Sequence, residues 1–210
     1  MAEPMSMNRI IHAAVRRDVT RTEQALRALA DGDRTRAEQV RTAWGNLRRE
    51  LTHHHEAEDA IAWPFLAARG FDTTLLTEME EEHVAMARAI AASSTAIDAV
   101  VATPTASTAH AAADEVAAAR VVIERHLAHE EADVEGVMGE LEDDPEWKAA
   151  AAKMRPASIV DAANALAWMQ DGAGQQERSS LRAHIPGPVV TVLTLLLARR
   201  YRREVAPVWR

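Results

Sequence analysis

Hydrophobic residues recur at intervals of three and four positions through about the first two thirds of the chain, with charged residues between them. This period is that of amphipathic helices, and no stretch shows the strict polar–apolar alternation of a half-buried strand. Runs rich in Gly, Pro and Asp interrupt the pattern. The helices predicted between these runs are Met7–Ala30, Thr35–Arg69, Thr73–Ala102 and Ser107–Leu141. Four long helices joined by short turns predict an all-α fold, an antiparallel up-down-up-down four-helix bundle.

The sequence also indicates where helices begin and bend. We expect Asp72 or Thr73 to cap the third helix and Ser107 the fourth, because short polar side chains accept hydrogen bonds from the free N–H groups of a first turn. Pro64 lies inside the second predicted helix. Because proline has no N–H to donate to the carbonyl of Ala60, we expect that helix to bend there.

The last part of the chain is organised differently. We divide the sequence into a bundle at residues 1–142 and a C-terminal helical extension at residues 143–210, and we expect the extension to pack on the bundle. Its predicted helices are 146–154, 156–170 and 189–200. The alternative is that its apolar segment forms an amphipathic helix that meets a membrane or a partner protein.

Histidines and carboxylates recur at matched offsets of 71 or 72 residues in the two halves of the predicted bundle. The pairs are His12 and His83, His54 and His126, Glu58 and Glu130, and Asp59 and Glu131. The chain therefore consists of two related helical hairpins, each with one histidine on its first helix and a His–Glu pair on its second. If the hairpins pack about a pseudo-twofold axis, the two sets face one another.

Helix geometry selects one pair of candidate ligands from each histidine-rich segment. Residues four positions apart lie about 40° apart around a helix and about 6 Å apart along it, so they share a face. The pairs with this spacing are His54 with Glu58 and His126 with Glu130. By the same rotation His53 and His55 each point about 100° away from His54, so we do not expect them in the site. Glu131 is a poorer partner than Glu130 for the same reason.

Four imidazoles and two carboxylates that converge in a bundle core are the donors of a dinuclear metal site. Imidazole and carboxylate suit iron and manganese as well as zinc. Each ion would be bound by two histidines, with the two glutamates available as bridges. The alternative is that each histidine is solvated or hydrogen-bonded to a neighbour, but unrelated histidines have no reason to recur at matched offsets. The six predicted ligands are His12, His54, Glu58, His83, His126 and Glu130.

Composition narrows the classes of function. The chain has no cysteine, which excludes a thiol nucleophile, an iron–sulfur cluster and a cysteine-rich zinc module. Its formal net charge of -8 argues against nonspecific binding of nucleic acid. Residues 1–10 have no apolar signal-peptide core, and the most apolar run, 189–198, is about half the roughly 20 residues that span a bilayer. We therefore expect a cytoplasmic protein with no nucleic-acid partner and no membrane location.

The distribution of these ligands over four successive helices resembles that of the hemerythrin-like family, which carries the HHE cation-binding domain. The similarity spans about residues 8–140 and is most specific in two segments, HHEAEDAIAWP at 54–64 and HLAHEE at 126–131. It implies an antiparallel four-helix bundle with a non-haem di-iron centre, an oxygen-bridged pair of iron ions that binds O2, NO or peroxide. Manganese is the less expected metal. The resemblance implies the same six residues as ligands.

The sequence departs from the oxygen-carrying members of that family. Those members use five histidines, two of them on the third helix, whereas here His83 has Met79 and Ala87 at the positions four residues away. Their last carboxylate lies one position further from its histidine, where this chain has Glu131. One nitrogen ligand is therefore missing from the predicted set. Water, a substrate or His129 are the alternatives for that position, and His129 is otherwise expected to support a ligand from behind.

Three functions agree with this resemblance. The first is a di-iron protein that binds or senses O2, NO or peroxide. The second is a di-iron enzyme, with catalase-like disproportionation of peroxide or activation of O2 against a substrate, which the missing nitrogen ligand favours over oxygen carriage. The third is iron storage, or a bundle whose metal only stabilises the fold. The sequence predicts no catalytic residue and no oligomeric state.

Overall fold

The computed structural model describes residues 4–141 and 143–210, and these residues form helices with no strand among them. The all-α prediction is confirmed. The helices before residue 142 are α1 (Met7–Arg27), α2 (Arg34–Ala57), α3 (Trp63–Ala68), α4 (Thr73–Ala102), α5 (Ala106–Asp133) and α6 (Glu135–Glu140). Residue 142, the predicted end of the bundle, lies outside the described residues. The division into domains and the up-down-up-down direction of the helices stay predictions.

The four longest helices form a helical bundle in which α1 and α4 each pack against both α2 and α5. Their buried apolar residues form two clusters. The larger one fills most of the bundle and includes Leu51, Met86 and Ile123. The smaller one includes Met79 and Val134 and lies further toward the start of α4 and the end of α5. On α2, α4 and α5 the candidate ligands fall between the two clusters, and His12 on α1 lies between Ile10 and Ala14 of the larger one, so the ligands form a polar layer inside an apolar core.

The second predicted helix is interrupted just before Pro64. α2 ends at Ala57, and a π-helical turn at Glu58–Ala62 leads into α3, whose first turn contains the proline. The structure therefore changes helix type just before the proline, to a turn whose hydrogen bonds reach five residues along the chain instead of four, and the bend itself stays a prediction. The fourth predicted helix is also shorter than expected, because α5 ends at Asp133 and α6 follows after Val134.

The cap prediction is confirmed for α4 and wrong for α5. Asp72 accepts a hydrogen bond from the backbone N–H of Thr74 at 2.8 Å, as a capping residue does. α5 is capped by Thr105, two residues before the predicted Ser107, and its hydroxyl accepts the N–H of Thr108. The physical reason is the capping box that Thr105 and Thr108 form, with extended backbone at Thr105.

The C-terminal part contains one more helix than the sequence predicted. Its helices are α7 (Pro145–Lys153), α8 (Ile159–Gln170), α9 (Gln175–His184) and α10 (Gly187–Leu196), followed by a π-helical turn at Tyr201–Val205 and a 3-10 turn at Ala206–Trp209. α9 was not predicted because its residues are mostly polar. Its one large apolar residue, Leu181, is too little to define a helical period. The apolar helix expected at 189–200 begins two residues earlier and ends at Leu196.

Specific contacts connect this C-terminal part to α1 and α2. α8 and α9 pack against α1, and the indole N–H of Trp168 donates to the buried carboxylate of Asp18 at 2.8 Å. The Arg36 guanidinium donates to the carbonyl of Val208 at 2.7 Å. Among the described residues, one helix, α4, has the length and apolar composition to cross a membrane. That helix also packs against α2 and α5, as a core helix of a bundle does.

Candidate metal centre

All six predicted ligands lie together in the polar layer of the bundle. α1 contributes His12, α2 contributes His54, α4 contributes His83, and α5 contributes His126 and Glu130, while Glu58 is the first residue of the π-helical turn. Each of these side chains is buried. The structure thus brings the sequence-predicted residues into one cluster, and their role as ligands is a prediction that this placement leaves for experiment.

The histidines meet in two pairs, through the ring nitrogen furthest from the backbone. Nε2 of His12 lies 3.2 Å from Nε2 of His54, and Nε2 of His83 lies 3.1 Å from Nε2 of His126. Each pair joins one histidine from each of two neighbouring helices. These separations place both nitrogens of a pair within reach of one cation.

Carboxylates accept hydrogen bonds from the Nδ1 atoms of three of the four rings, on the side away from the paired Nε2 atoms. Nδ1 of His12 donates to Glu131 at 2.9 Å, Nδ1 of His83 donates to Asp59 at 2.7 Å, and Nδ1 of His126 donates to Glu82 at 3.1 Å. Because a carboxylate only accepts, the hydrogen of each neutral ring lies on Nδ1 and the lone pair on Nε2. Nε2 of His83 and of His126 therefore present two lone pairs to each other, an arrangement that a cation would stabilise. Carboxylate-supported imidazoles are common at metal sites.

These contacts follow the internal repeat of the sequence. The contact of His12 with Glu131 has its counterpart in the contact of His83 with Asp59, and the two Nε2–Nε2 pairs correspond in the same way. The expected pseudo-twofold relation between the halves is thus visible in the distances. That Asp59 and Glu131 accept hydrogen bonds from the histidine rings was not predicted. Their matched positions in the repeat are the sequence signal that could have indicated it.

Both glutamates lie between the two histidine pairs. Glu58 Oε1 is 3.3 Å from Nε2 of His54, and its Oε2 is 3.6 Å from Nε2 of His83. Glu130 Oε2 is 3.2 Å from Nε2 of His12 and 3.8 Å from Nε2 of His126. Each carboxylate therefore contacts one histidine of each pair, which is the position of a bridging ligand.

The cluster contains buried polar atoms that the protein alone leaves without a hydrogen bond. Among the described residues these include Oε2 of Glu58, Oε2 of Glu130 and Nε2 of His55. An unpartnered buried polar atom carries a free-energy penalty of about 1–3 kcal/mol, and more for a charged group. All three atoms are of the kinds that bind metal ions, so the donor set fits cations in this layer.

Burial and neighbouring charges together set the protonation of the cluster. Burial opposes charge on His12, but contacts with Glu130 and Glu131 outweigh it and raise the His12 pKa. Burial lowers the pKa of His54 to about 3 and that of His126 to about 4, so both imidazoles are neutral and able to bind a metal. Burial and the neighbouring Glu130 carboxylate raise the pKa of Glu58 well above its ordinary value. Burial also opposes charge on Glu130, but contact with His12 outweighs it and lowers the Glu130 pKa to about 2. Two carboxylates this close repel one another unless a cation lies between them.

His55 corrects the expectation drawn from helix rotation. The expectation that His53 and His55 both point away from the site holds for His53, which is exposed, but is wrong for His55, which is buried against His83 and His126. The physical reason is that α2 packs between α1 and α4, and the inward face of such a helix is at least about 100° wide. His54 faces His12 on α1, and His55 faces the histidine of α4.

The two alternatives left open by the sequence lie outside the ring of donors. Glu131 contacts the far side of His12 and accepts a hydrogen bond from Arg16 at 2.7 Å. Nδ1 of His129 lies 3.3 Å from Glu82, and its Nε2 lies 3.4 Å from Asp133. Both residues therefore support the cluster from behind.

Fold and site together define a helical bundle with a buried histidine–carboxylate cluster of the kind that binds metal cations. The model of the hemerythrin HHE cation-binding domain matches residues 9–138 of the chain, and the protein belongs to this family. The matched range contains all six predicted ligands. Comparison with curated proteins gave no match, and neither did comparison with solved structures.

Proposed function

We propose that this protein binds a pair of iron ions in the polar layer and uses them to bind O2, NO or peroxide. One observation above the others supports the proposal. Two pairs of histidines meet through their Nε2 atoms, and Glu58 and Glu130 both lie between the two pairs. Family membership supports a metal cation, and the resemblance to di-iron members supports iron over manganese.

The arrangement supports two ions better than one. One set of donors is formed by His12, His54 and Glu130, whose ligand atoms lie within 4.8 Å of one another. A second set contains His83 and His126, which come from the other two helices. Because Glu58 and Glu130 each contact both sets, they would bridge the ions and offset their mutual repulsion.

The surrounding chain would control what reaches the ions. The apolar clusters on both sides of the layer exclude bulk water, and the Trp63 ring lies 6.2 Å from the His83 ring. Asn8 donates to Oε1 of Glu130 at 2.8 Å, which leaves Oε2 directed at the histidines. When bound, a di-iron pair would supply electron transfer to and from O2, NO or peroxide. An enclosed layer of this kind suits ligands of two or a few atoms.

The experiment is metal analysis combined with optical spectroscopy of the purified full chain. We expect bound iron, and an absorption spectrum that changes when O2, NO or peroxide is added and, for O2 and NO, returns when the gas is removed. The matched pair of variants is His126→Ala, a predicted ligand, and His110→Ala, an exposed histidine on the same helix. Only the first is expected to abolish the spectral response. An iron-loaded protein that is spectrally inert to all three ligands would contradict the proposal.

A further inference from the structure

We propose that His55 is a fifth nitrogen ligand of this metal centre and acts together with His83 and His126. This inference rests on the proposed function, since it assigns a further donor to the same ions. The sequence predicts one nitrogen ligand too few, with water, a substrate or His129 as the alternatives for the vacant position. The structure points to the neighbour of His54 instead.

The position of the His55 ring is that of a ligand. Its ring stacks on that of His83, with centroids 4.1 Å apart and planes at 13°, and it meets His126 edge-on at 5.3 Å. Its Nε2 is buried without a hydrogen-bond partner. The ligand atoms of His55, His83 and His126 all lie within 4.8 Å of one another. A buried imidazole nitrogen without a hydrogen-bond partner, in a ring grouped this closely with two others, has a lone pair that a cation would satisfy.

The internal repeat separates this role from simple packing. The shift of 72 residues that relates His54 to His126 places His55 on Leu127, which is fully buried. An apolar side chain therefore fills the equivalent position in the other half, so packing alone does not require a histidine. His55 breaks the pseudo-symmetry. It lies within ligand distance of His54 and Glu58 as well as of His83 and His126, and its stacking on His83 assigns it to the half that contains His83 and His126.

This assignment also bears on the choice between binding and turnover. The sequence favoured an enzyme because a nitrogen ligand was missing. With His55 in the set, the centre has five imidazoles, and that reason for preferring turnover no longer applies. His129, which lies behind Glu82, is not needed as a ligand.

The test compares the metal-binding properties of four forms of the full chain. His55→Leu copies the residue found at the equivalent position, His55→Glu keeps a donor atom, and His53→Leu changes the exposed neighbour. Each form is first checked for folding by circular dichroism without metal, then loaded with Fe(II) under anaerobic conditions. The readouts are ions per chain and the rate at which a chelator removes them.

For His55→Leu we expect loss of one ion, or removal by the chelator at least ten times faster, because one ion loses a donor. His55→Glu is expected to retain two ions, and His53→Leu to match the unaltered protein. Wild-type ion content and removal rate in His55→Leu would overturn the assignment and leave the proposed function intact. If His55→Leu fails to fold, His55→Gln takes its place, because glutamine is polar and of similar size but a weak metal ligand. Loss of an ion or faster removal in His55→Gln would support the assignment, and wild-type values would overturn it. An unaltered protein that binds no pair of ions would refute the proposed function itself.

Discussion

Removal of the Glu131 carboxylate tests how the supporting carboxylates contribute to the metal centre. Glu131 accepts the Nδ1 hydrogen of His12 at 2.9 Å and is itself held by Arg16 at 2.7 Å. The carboxylate orients the ring and increases the electron density on Nε2, the atom that faces His54. Glu131→Ala removes both effects without touching a ligand atom.

The expected loss follows from the partners of Glu131. Supporting groups of this kind typically contribute about 10- to 100-fold to metal affinity, which is about 1.4–2.8 kcal/mol. The Glu131 side chain is 19% exposed and fixed by an arginine, so we expect an effect near the upper end. Its counterpart in the repeat, Asp59, is 40% exposed at the side chain, and solvent screening places Asp59→Ala near the lower end.

The assay is a competition titration of Fe(II) between the protein and a chelator of known affinity. Glu124→Ala is the matched control, because Glu124 also pairs with Arg16, at 2.7 Å, but contacts none of the candidate ligands. The control should retain wild-type affinity. Equal affinities for Glu131→Ala, Glu124→Ala and the unaltered protein would refute the reasoning.

Three further predictions concern stability. Trp168→Phe removes the hydrogen bond to buried Asp18 and should lower the free energy of unfolding by about 1–3 kcal/mol in urea titrations, and an unchanged midpoint would contradict the assigned contact. Burial raises the pKa of Glu50 to about 7 although Arg49 opposes the shift, so the folded state holds this proton more tightly than the unfolded state. The contribution of Glu50 to the free energy of unfolding should therefore be fully present below about pH 4.5 and be lost as the pH rises through 7. Glu50→Gln should reduce that loss by about 1–3 kcal/mol, measured as the difference in unfolding free energy between pH 5 and pH 8. Removal of metal should lower Tm by about 10–20 °C, since two ions at about 100 times Kd contribute about 5 kcal/mol, and equal melting curves with and without chelator would exclude a metal bound to the folded state.

Much of the site was accessible from the sequence because the repeat carries positional information. The matched offsets pair His12 with His83 and Asp59 with Glu131. The structure shows the corresponding contacts, from His12 to Glu131 and from His83 to Asp59. His55 was missed because a single-helix projection measures angles from one chosen residue. It does not include the width of a face that packs between two neighbouring helices.

Local backbone features were less accessible. The sequence predicted a bend near Pro64, whereas the observed feature is a π-helical turn before the proline, which depends on how that turn packs and on where its carbonyls find donors. α9 was missed because Leu181 is its one large apolar residue, too few to define a period, and the helix packs against α1. Such features depend on tertiary packing, which the residue pattern does not record.

The central claim is that two cations occupy the layer between the histidine pairs. The most direct measurement is the number of iron ions per chain at saturation, with metal determined by mass spectrometry and protein by amino-acid analysis. We predict two ions per chain. Saturation at one ion, or no retained metal, would contradict the claim.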